Sequence, residues 1–295
     1  MYYTKNTVLY LNGKFIKAAD ANTDLYSQTL HYGYGAFEGI RAYNTTQGTK
    51  IFKAYEHYER LRHSCVSVGI PFDYDTETLI QVTYQLLEKN KLKDAYIRPL
   101  VYCSPNMSLT APKEVFIMIA VWEWGKYLGS NLLKLCLSSY QRPNPNSVKV
   151  DAKITGHYVN SILATSEAKV RGYDEALMLD MHGHVAEAPG ANFFLEKNGV
   201  LHTPLQGHIL PGITRQTVIN ICKELDIPVQ ERNIKPEELQ DADSAFLCGT
   251  AAEVIGIESV DAKPFAKPWK ETFGAIIQEA YQAQVLDKSF SHVII

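Results

Sequence analysis

The longest apolar run in the chain covers Val115–Trp122, and its length limits what the chain can form. A helix that spans a bilayer needs about 20 apolar residues, whereas a buried strand needs about 5 to 10. The run therefore predicts a core strand and no membrane partner. The N-terminal segment also lacks the apolar stretch of a signal peptide, so we expect a soluble, cytoplasmic protein.

Composition narrows the function classes further. The chain has 295 residues, 46% hydrophobic and 21% charged, which is typical of a globular protein of two domains. A net charge of −3 lacks the positive excess that phosphate backbones attract, so we expect no nucleic-acid partner. The five cysteines never form a C-x-x-C pair, which argues against a zinc cluster or disulfide framework and favours a reducing compartment.

Hydrophobic periodicity predicts an N-terminal α+β region up to residue 124. One helix carries Tyr58, Leu61, Cys65 and Val68 on one face and ends before Pro71; a second is capped by Asp75 and carries Leu79, Val82, Leu86 and Leu87. The predicted strands are Val8–Leu11, Gly39–Tyr43, Ala95–Cys103 and Val115–Trp122.

The glycine-flanked segment 125–131 has no periodicity and is predicted to connect domain 1–124 to domain 132–295. Strands and helices mix beyond it without strict alternation, so we expect two α+β domains. The predicted elements are a strand at Leu132–Ser139, a helix over Tyr158–Arg171, a hairpin of Ala176–Asp180 with Val185–Ala188, and a helix starting at 211–214.

Three segments carry groups suited to chemistry, but spacing alone leaves their roles open. Leu210–Thr214 and Cys248–Ala252 each place Gly and Thr where a helix or turn begins, which suits a phosphate site or a simple helix cap. Lys153 precedes a predicted helix beside Tyr158, and burial there would lower the pKa of its amine so that it could attack a carbonyl. From the residues alone, Lys149 is as good a candidate.

His182-Gly183-His184, followed by Glu187, offers ligand types that metals use, but an exposed turn is the favoured interpretation and no metal is expected. The glycine-rich phosphate loops of nucleotide enzymes and the nucleophile elbow of the hydrolases are missing from the sequence.

Several segments together resemble one known family. They are His31-Tyr32-Gly33, Phe37-Glu38-Gly39-Ile40-Arg41, Ala95-Tyr96-Ile97-Arg98-Pro99-Leu100, Glu187 followed by Asn192-Phe193-Phe194, and Leu210-Pro211-Gly212-Ile213-Thr214-Arg215. In this order and spacing the chain resembles the class IV (fold-type IV) pyridoxal-phosphate aminotransferases, specifically the branched-chain amino-acid aminotransferases. The resemblance covers nearly the whole chain and implies a two-domain α+β fold, with an N-terminal α/β sandwich-like domain and a larger C-terminal pseudo-barrel.

The resemblance also implies the cofactor, pyridoxal 5'-phosphate, and its contacts. Lys153 matches the lysine that binds the cofactor covalently and shuttles the substrate's proton. The other matching positions are Arg60, Ile213, Thr214 and Thr250 for the phosphate, Tyr158 for the ring hydroxyl oxygen, and Glu187 for the protonated ring nitrogen. Without the resemblance, Arg60 would be interpreted as a surface arginine and Glu187 as a strand-end carboxylate.

The implied reaction is reversible transamination between Leu, Ile or Val and 2-oxoglutarate, with amino acids and 2-oxo acids as partners. The matching substrate positions are Tyr32, Phe37 and Tyr127 as pocket walls, Gly39 beside them, Tyr96 and the backbone donors of Ala251 and Ala252 for the α-carboxylate, and Arg98 for the side-chain carboxylate of glutamate. The family's second subunit closes the pocket with a loop, which implies at least a homodimer and makes Asn106–Leu109 the candidate loop.

The chain departs from the family pattern at Ala188, Pro189 and His157, where we expect changes in packing or substrate range. Two alternatives share the fold: a D-amino-acid aminotransferase or aminodeoxychorismate lyase, and a binding protein without catalysis. A metal-dependent enzyme is a more distant third.

Overall fold

The computed structural model describes residues 2–125, 128–129 and 131–290. Helices and strands mix in both halves of the chain without regular alternation, which confirms the predicted α+β class. Within the described ranges, each helix is too short or too polar to cross a bilayer. All five cysteine side chains are buried and free.

Contacts between residues divide the chain into two compact units. The first unit comprises Met1–Gly125 and Ala152–His157, and the second comprises Lys126–Asp151 and Tyr158–Ile295. The predicted connection, 125–131, lies partly outside the described residues, so the domain bounds stay a prediction. The short segment that carries Lys153 belongs by its contacts to the first unit.

The first unit is built on one antiparallel sheet with strand order β2-β1-β7-β6-β4-β5, and β3 pairs with β6. Its strands are β1 (Val8–Leu11), β2 (Lys14–Lys17), β3 (Gly35–Phe37), β4 (Ile40–Thr45), β5 (Gly48–Ile51), β6 (Ala95–Cys103) and β7 (Val115–Trp122), and its helices are α1 (Gln28–Tyr32), α2 (Ala54–Ser67) and α3 (Thr76–Lys89).

Burial alternates along β7, where Ile117, Ile119 and Val121 pack into the core of the first unit. This alternation gives the apolar run one buried and one half-open face and confirms the predicted strand. Asp75 caps α3 as predicted, because its Oδ2 accepts the N–H of Thr78 at 2.8 Å.

The second unit contains a strand order of β10-β9-β8-β15-β14-β11-β12-β13, and pairing of β10 with β11 closes part of it into a ring. This ring matches the expected pseudo-barrel. Its strands are β8 (Leu133–Leu137), β9 (Glu175–Leu179), β10 (Val185–Ala188), β11 (Ala191–Lys197), β12 (Val200–Thr203), β13 (Val229–Glu231), β14 (Ser244–Gly249), β15 (Glu253–Val260) and β16 (Lys263–Pro264), and its helices are α4 (Tyr158–Val170), α5 (Ile213–Glu224) and α6 (Phe273–Val285).

The predicted elements are confirmed with small shifts at their ends. The predicted hairpin forms between β9 and β10, and Gly183 in its turn adopts the expected positive φ of 80°. Gly33 allows two backbone segments of the first unit to approach each other closely. Its φ is 64°, and an added Cβ would lie 2.6 Å from the Cα of Gly156. This approach anchors the Lys153 segment against the end of α1.

Candidate active site

Lys153 is held through its main chain. Its N–H donates to Oγ of Ser64 on α2 at 2.9 Å, and its carbonyl oxygen accepts the N–H of Phe37 on β3 at 3.1 Å. The Nζ atom lies 5.1 Å from the centroid of the Phe37 ring. The half-buried amine is therefore presented against an aromatic face, whereas Lys149 is exposed.

Arg60 lies on α2 in a buried cluster of charged groups. Its Nε and Nη2 atoms donate to Glu38 at 2.6 and 2.9 Å, and His57 Nδ1 contacts the same carboxylate at 2.7 Å. Burial alone would raise the pKa of Glu38, but Arg60 and His57 outweigh it and hold that pKa well below its usual range. Burial lowers the pKa of His57, although Glu38 opposes the shift. Sequence reasoning singled out Arg60 but assigned no role to Glu38 or His57.

Arg98 and Tyr96 lie on the same face of β6. Arg98 Nη2 donates to the hydroxyl oxygen of Tyr96 at 2.9 Å, and its guanidinium carbon lies 4.5 Å from the Phe37 ring centroid. Arg98 Nε is buried and has no hydrogen-bond acceptor among the described residues. A positive planar group with a buried donor left over suits a carboxylate ligand.

Gly39 leaves room for Tyr96, because a Cβ at this position would overlap the tyrosine hydroxyl. The Tyr96 ring also contacts Trp122 and Trp124, with centroids 5.1 and 4.5 Å away. Arg98 and both tryptophans line a cavity of about 390 Å³ in the first unit. The sequence analysis missed these tryptophans, although their spacing of two at the end of a strand was a usable sign that they share a face.

Tyr32 ends α1 and is exposed, and its hydroxyl donates to the carbonyl oxygen of Met107 at 3.1 Å. This bond ties a predicted pocket wall to the predicted closing loop, Asn106–Leu109, of the same chain. Leu109 in that loop is 87% exposed. Tyr127, the third predicted wall, lies outside the described residues.

Glu187 is a buried carboxylate of β10 in the second unit. Arg142 Nε lies 2.9 Å from its Oε1, Asn192 Nδ2 donates to its Oε2 at 2.9 Å, and the Leu210 N–H donates to Oε1 at 3.1 Å. The arginine supplies a counter-charge and the other donors fix the plane of the carboxylate. Arg142 was missed because it lies in an irregular loop far from Glu187 in sequence.

Ile213 and Thr214 form the first turn of α5, whose N-cap, Gly212, has no side chain to accept from that turn. Helix N-termini of this kind bind anions through backbone N–H groups. Arg215 anchors the helix, since its buried guanidinium contacts Glu231 at 2.7 Å. The predicted helix start is confirmed.

Thr250, Ala251 and Ala252 form the turn between β14 and β15, so the predicted turn is confirmed. Ala251 and Ala252 also line a cavity of about 480 Å³ in the second unit. Tyr158 is the first residue of α4 and is half-buried.

The three residues that depart from the family pattern, Ala188, Pro189 and His157, have defined positions in the structure. Ala188 is buried and pairs with Ala191, and the carbonyl oxygen of Pro189 accepts the Ser161 hydroxyl at 2.8 Å. The turn that follows Glu187 is thereby fastened to α4. His157 ends the single 3₁₀ turn that precedes α4.

The histidine-containing turn is organised by Asp180, whose Oδ1 accepts the N–H groups of His182 and His184 at 2.8 and 2.9 Å. In the part of the chain that the structure describes, no three His, Cys, Asp or Glu side chains are grouped closely enough to hold a metal ion.

Comparison with known proteins identifies relatives over nearly the whole chain. Residues 35–260 match the family model described as amino-transferase class IV. A branched-chain-amino-acid aminotransferase of Pseudomonas aeruginosa is 39% identical, over 98% of this chain and 96% of its own. The crystal structure of a branched-chain aminotransferase from Thermoproteus uzoniensis with norvaline has a TM-score of 0.92 at 39% identity, covering 96% of this chain and 95% of its own. That of a branched-chain amino acid aminotransferase from Thermobaculum terrenum in its PLP-form has a TM-score of 0.90 at 31% identity, covering 97% of this chain and 96% of its own.

Proposed function

The chain belongs to the class IV aminotransferases, and from this membership we propose that it transfers amino groups between branched-chain L-amino acids and 2-oxoglutarate with pyridoxal phosphate as cofactor. The observation that carries the proposal is the joint occurrence of full-length relatives of that activity and a half-buried amine, Lys153, held against an aromatic ring. Branched 2-oxo acids and L-glutamate are the products.

The donor set fits pyridoxal phosphate. Arg60, the first N–H groups of α5 and Thr250 suit a phosphate, the phenol of Tyr158 suits the ring oxygen, and the buried carboxylate of Glu187 suits a protonated ring nitrogen. When bound, the cofactor supplies an aldehyde that links to amines and a ring that accepts electrons from the substrate's α-carbon.

Lys153 has two tasks in this proposal. Its Nζ would bind the cofactor between turnovers, and in each half-reaction the same Nζ, in its unprotonated form, would carry a proton between the substrate α-carbon and the cofactor carbon that bore the aldehyde. The Phe37 ring restricts water on one side of the amine and limits competing hydrolysis. Glu187 would keep the proton on the ring nitrogen through its negative charge; Arg142 supplies the counter-charge of the carboxylate, and Asn192 holds its orientation.

Substrate recognition divides between charged and apolar groups. Tyr96 and the backbone N–H groups of Ala251 and Ala252 bind the α-carboxylate, and Arg98 binds the distal carboxylate of glutamate or 2-oxoglutarate. Tyr32, Phe37 and Gly39 are assigned to the apolar side chains of Leu, Ile and Val; Tyr127 shares this assignment through the family resemblance alone. An apolar pocket separates substrates that differ by one methylene by only about 1 to 3 kcal/mol, so all three are accepted.

The enzyme acts as a homodimer or a higher homo-oligomer in this proposal. Leu25, Leu30 and Leu109 in the first unit are 77%, 57% and 87% exposed, and a second copy of the chain would remove such apolar surface from water. A second copy that covers them would also meet the Asn106–Leu109 loop. The five free thiols favour a reducing, cytoplasmic location.

A substrate panel tests the reaction. We expect transfer from L-Leu, L-Ile and L-Val to 2-oxoglutarate, with no activity on the D-enantiomers. A D-aminotransferase gives the opposite pattern, whereas a lyase or a binding protein without catalysis gives transamination with none of these substrates.

Arg98→Met tests the division of substrate groups. Loss of the charge should raise KM for 2-oxoglutarate by about 10- to 100-fold and change KM for L-leucine by less than about threefold, because only the former has a distal carboxylate. Arg62→Met is the matched control, since Arg62 is an exposed arginine of α2 paired with Glu59. Equal effects on both substrates would contradict the role given to Arg98.

A further inference from the structure

Glu38 is fully buried, and its carboxylate oxygens contact the guanidinium that is proposed to bind the cofactor phosphate. We propose that Glu38 is a positioning residue that fixes the plane of the Arg60 guanidinium for phosphate binding. The inference rests on the proposed function, because it needs Arg60 to contact the phosphate.

The geometry of the pair supports a fixed plane. Arg60 Nε reaches one carboxylate oxygen at 2.6 Å and Arg60 Nη2 reaches the other at 2.9 Å, which is the parallel two-bond arrangement of an arginine with a carboxylate. His57 Nδ1 at 2.7 Å and the Gly39 N–H at 3.2 Å hold the carboxylate from other directions. A guanidinium bound in this way cannot rotate about its long side chain without breaking both bonds.

The cluster also lies next to the reactive amine. His57, Arg60 and Ser64 follow one another at spacings of three and four along α2, so they share one helix face. Ser64 accepts the N–H of Lys153, and the charge of Lys153 is felt at His57. The helix face that orients Arg60 therefore also holds the backbone of the lysine that binds the cofactor.

The charges of this cluster indicate that Glu38 contributes the orientation of the Arg60 guanidinium and no net positive charge. His57 donates a hydrogen bond to the carboxylate, and Glu38 and Arg60 compensate each other's charge. Arg60 therefore binds the phosphate mainly through N–H groups of fixed direction, and less through net positive charge. A buried ion pair is seldom needed for stability alone, since apolar side chains of similar volume usually stabilise as well.

The test compares two ligands that differ by the phosphate group. Dissociation constants of pyridoxal phosphate and of pyridoxal are measured by fluorescence titration of the full-length protein freed of cofactor. For Glu38→Gln we expect pyridoxal phosphate to bind about 10- to 100-fold more weakly and pyridoxal to change by less than about threefold. Arg60→Met should show the same selectivity, and Glu38→Gln should add nothing to it in the double variant.

Glu59→Gln is the matched control, because Glu59 also lies on α2 and pairs with an arginine, Arg62, but at the surface. It should leave both affinities unchanged. Glu38→Asp keeps the charge with a shorter reach and should give an intermediate loss for pyridoxal phosphate only, which serves if the glutamine variant does not fold.

The proposal is overturned if Glu38→Gln weakens both ligands equally, or if its effect persists undiminished when Arg60 is methionine. Phosphate selectivity that is lost in Arg60→Met but kept in Glu38→Gln refutes the role of Glu38 and leaves the proposed function intact. Failure of the unaltered protein to bind pyridoxal phosphate refutes the proposed function itself.

Discussion

The two units each contain a buried arginine–glutamate pair, and the proposed roles of the partners are reversed. In the first unit, Arg60 is the group that meets the cofactor and Glu38 orients it at 2.6 Å. In the second unit, Glu187 is proposed to meet the cofactor, and Arg142 supplies its counter-charge at 2.9 Å. The comparison teaches that a buried ion pair does not by itself say which partner carries the chemistry; the ligand group that has to be matched decides it.

A third buried carboxylate, Glu175 of β9, shows what the arginines contribute. It accepts hydrogen bonds from the Thr165 hydroxyl and the Ala176 N–H, both at 2.9 Å. These bonds lower its pKa, but burial has the larger effect and raises it. At Glu38 burial is outweighed by Arg60 together with His57, and the pKa is lowered. Hydrogen bonds from neutral groups are therefore too weak at Glu175 to compensate desolvation, whereas the arginine and histidine do so at Glu38.

Removal of the amine has the largest expected effect, because every step of the proposed reaction needs Lys153. Lys153→Ala should lower the transamination rate by about 10⁴-fold or more, since nucleophile and proton carrier are lost together. Lys149→Ala is the control, and borohydride reduction with peptide mapping locates the trapped cofactor. Cofactor trapped on another lysine, or turnover that persists in the alanine variant, would refute the assignment.

Glu187→Gln should have the next largest effect, a fall in kcat of about 10²- to 10³-fold at saturating cofactor, because glutamine cannot keep a proton on the ring nitrogen. Arg142→Met should lower kcat by only about tenfold, since Asn192 and Leu210 still hold the carboxylate. The rates are measured together with the absorbance of the bound cofactor and the melting temperature. An equal fall in kcat for Arg142→Met and Glu187→Gln would refute the claim that Glu187 meets the cofactor and Arg142 only supports it.

From the sequence we predicted the residue of each pair that is proposed to meet the cofactor, but not the ion-pair partner that supports it. Arg60 and Glu187 are assigned through the family resemblance, whereas Glu38 belongs to a quoted motif without an assigned role and Arg142 lies in a loop without periodicity. Periodicity predicted α2 and α3 because each helix has one buried and one open face, whereas β7 was predicted from its continuous apolar run. Periodicity missed β11, which is buried on both faces and shows no alternation. Contacts between residues distant in sequence, such as Arg142 with Glu187, leave no local pattern.

The smallest expected effect is on the free energy of unfolding, and it distinguishes Glu175, which has no arginine partner, from Glu38, which has one. The folded-state pKa of Glu175 is raised above its unfolded value, so ionisation destabilises the fold progressively as pH rises above about 4.3, the usual value of an unfolded glutamate. Glu175→Gln keeps both hydrogen bonds and removes the charge, so it should stabilise the protein at pH 8 by an amount on the order of 1 kcal/mol and have no effect at pH 4. Glu38→Gln should have the opposite sign at pH 8, because the pKa of Glu38 is lowered and its stabilising charge is fully present above the unfolded value. Urea unfolding at both pH values measures the difference, and a loss of stability in both variants at pH 8 would mean that the arginine is not what separates the two carboxylates.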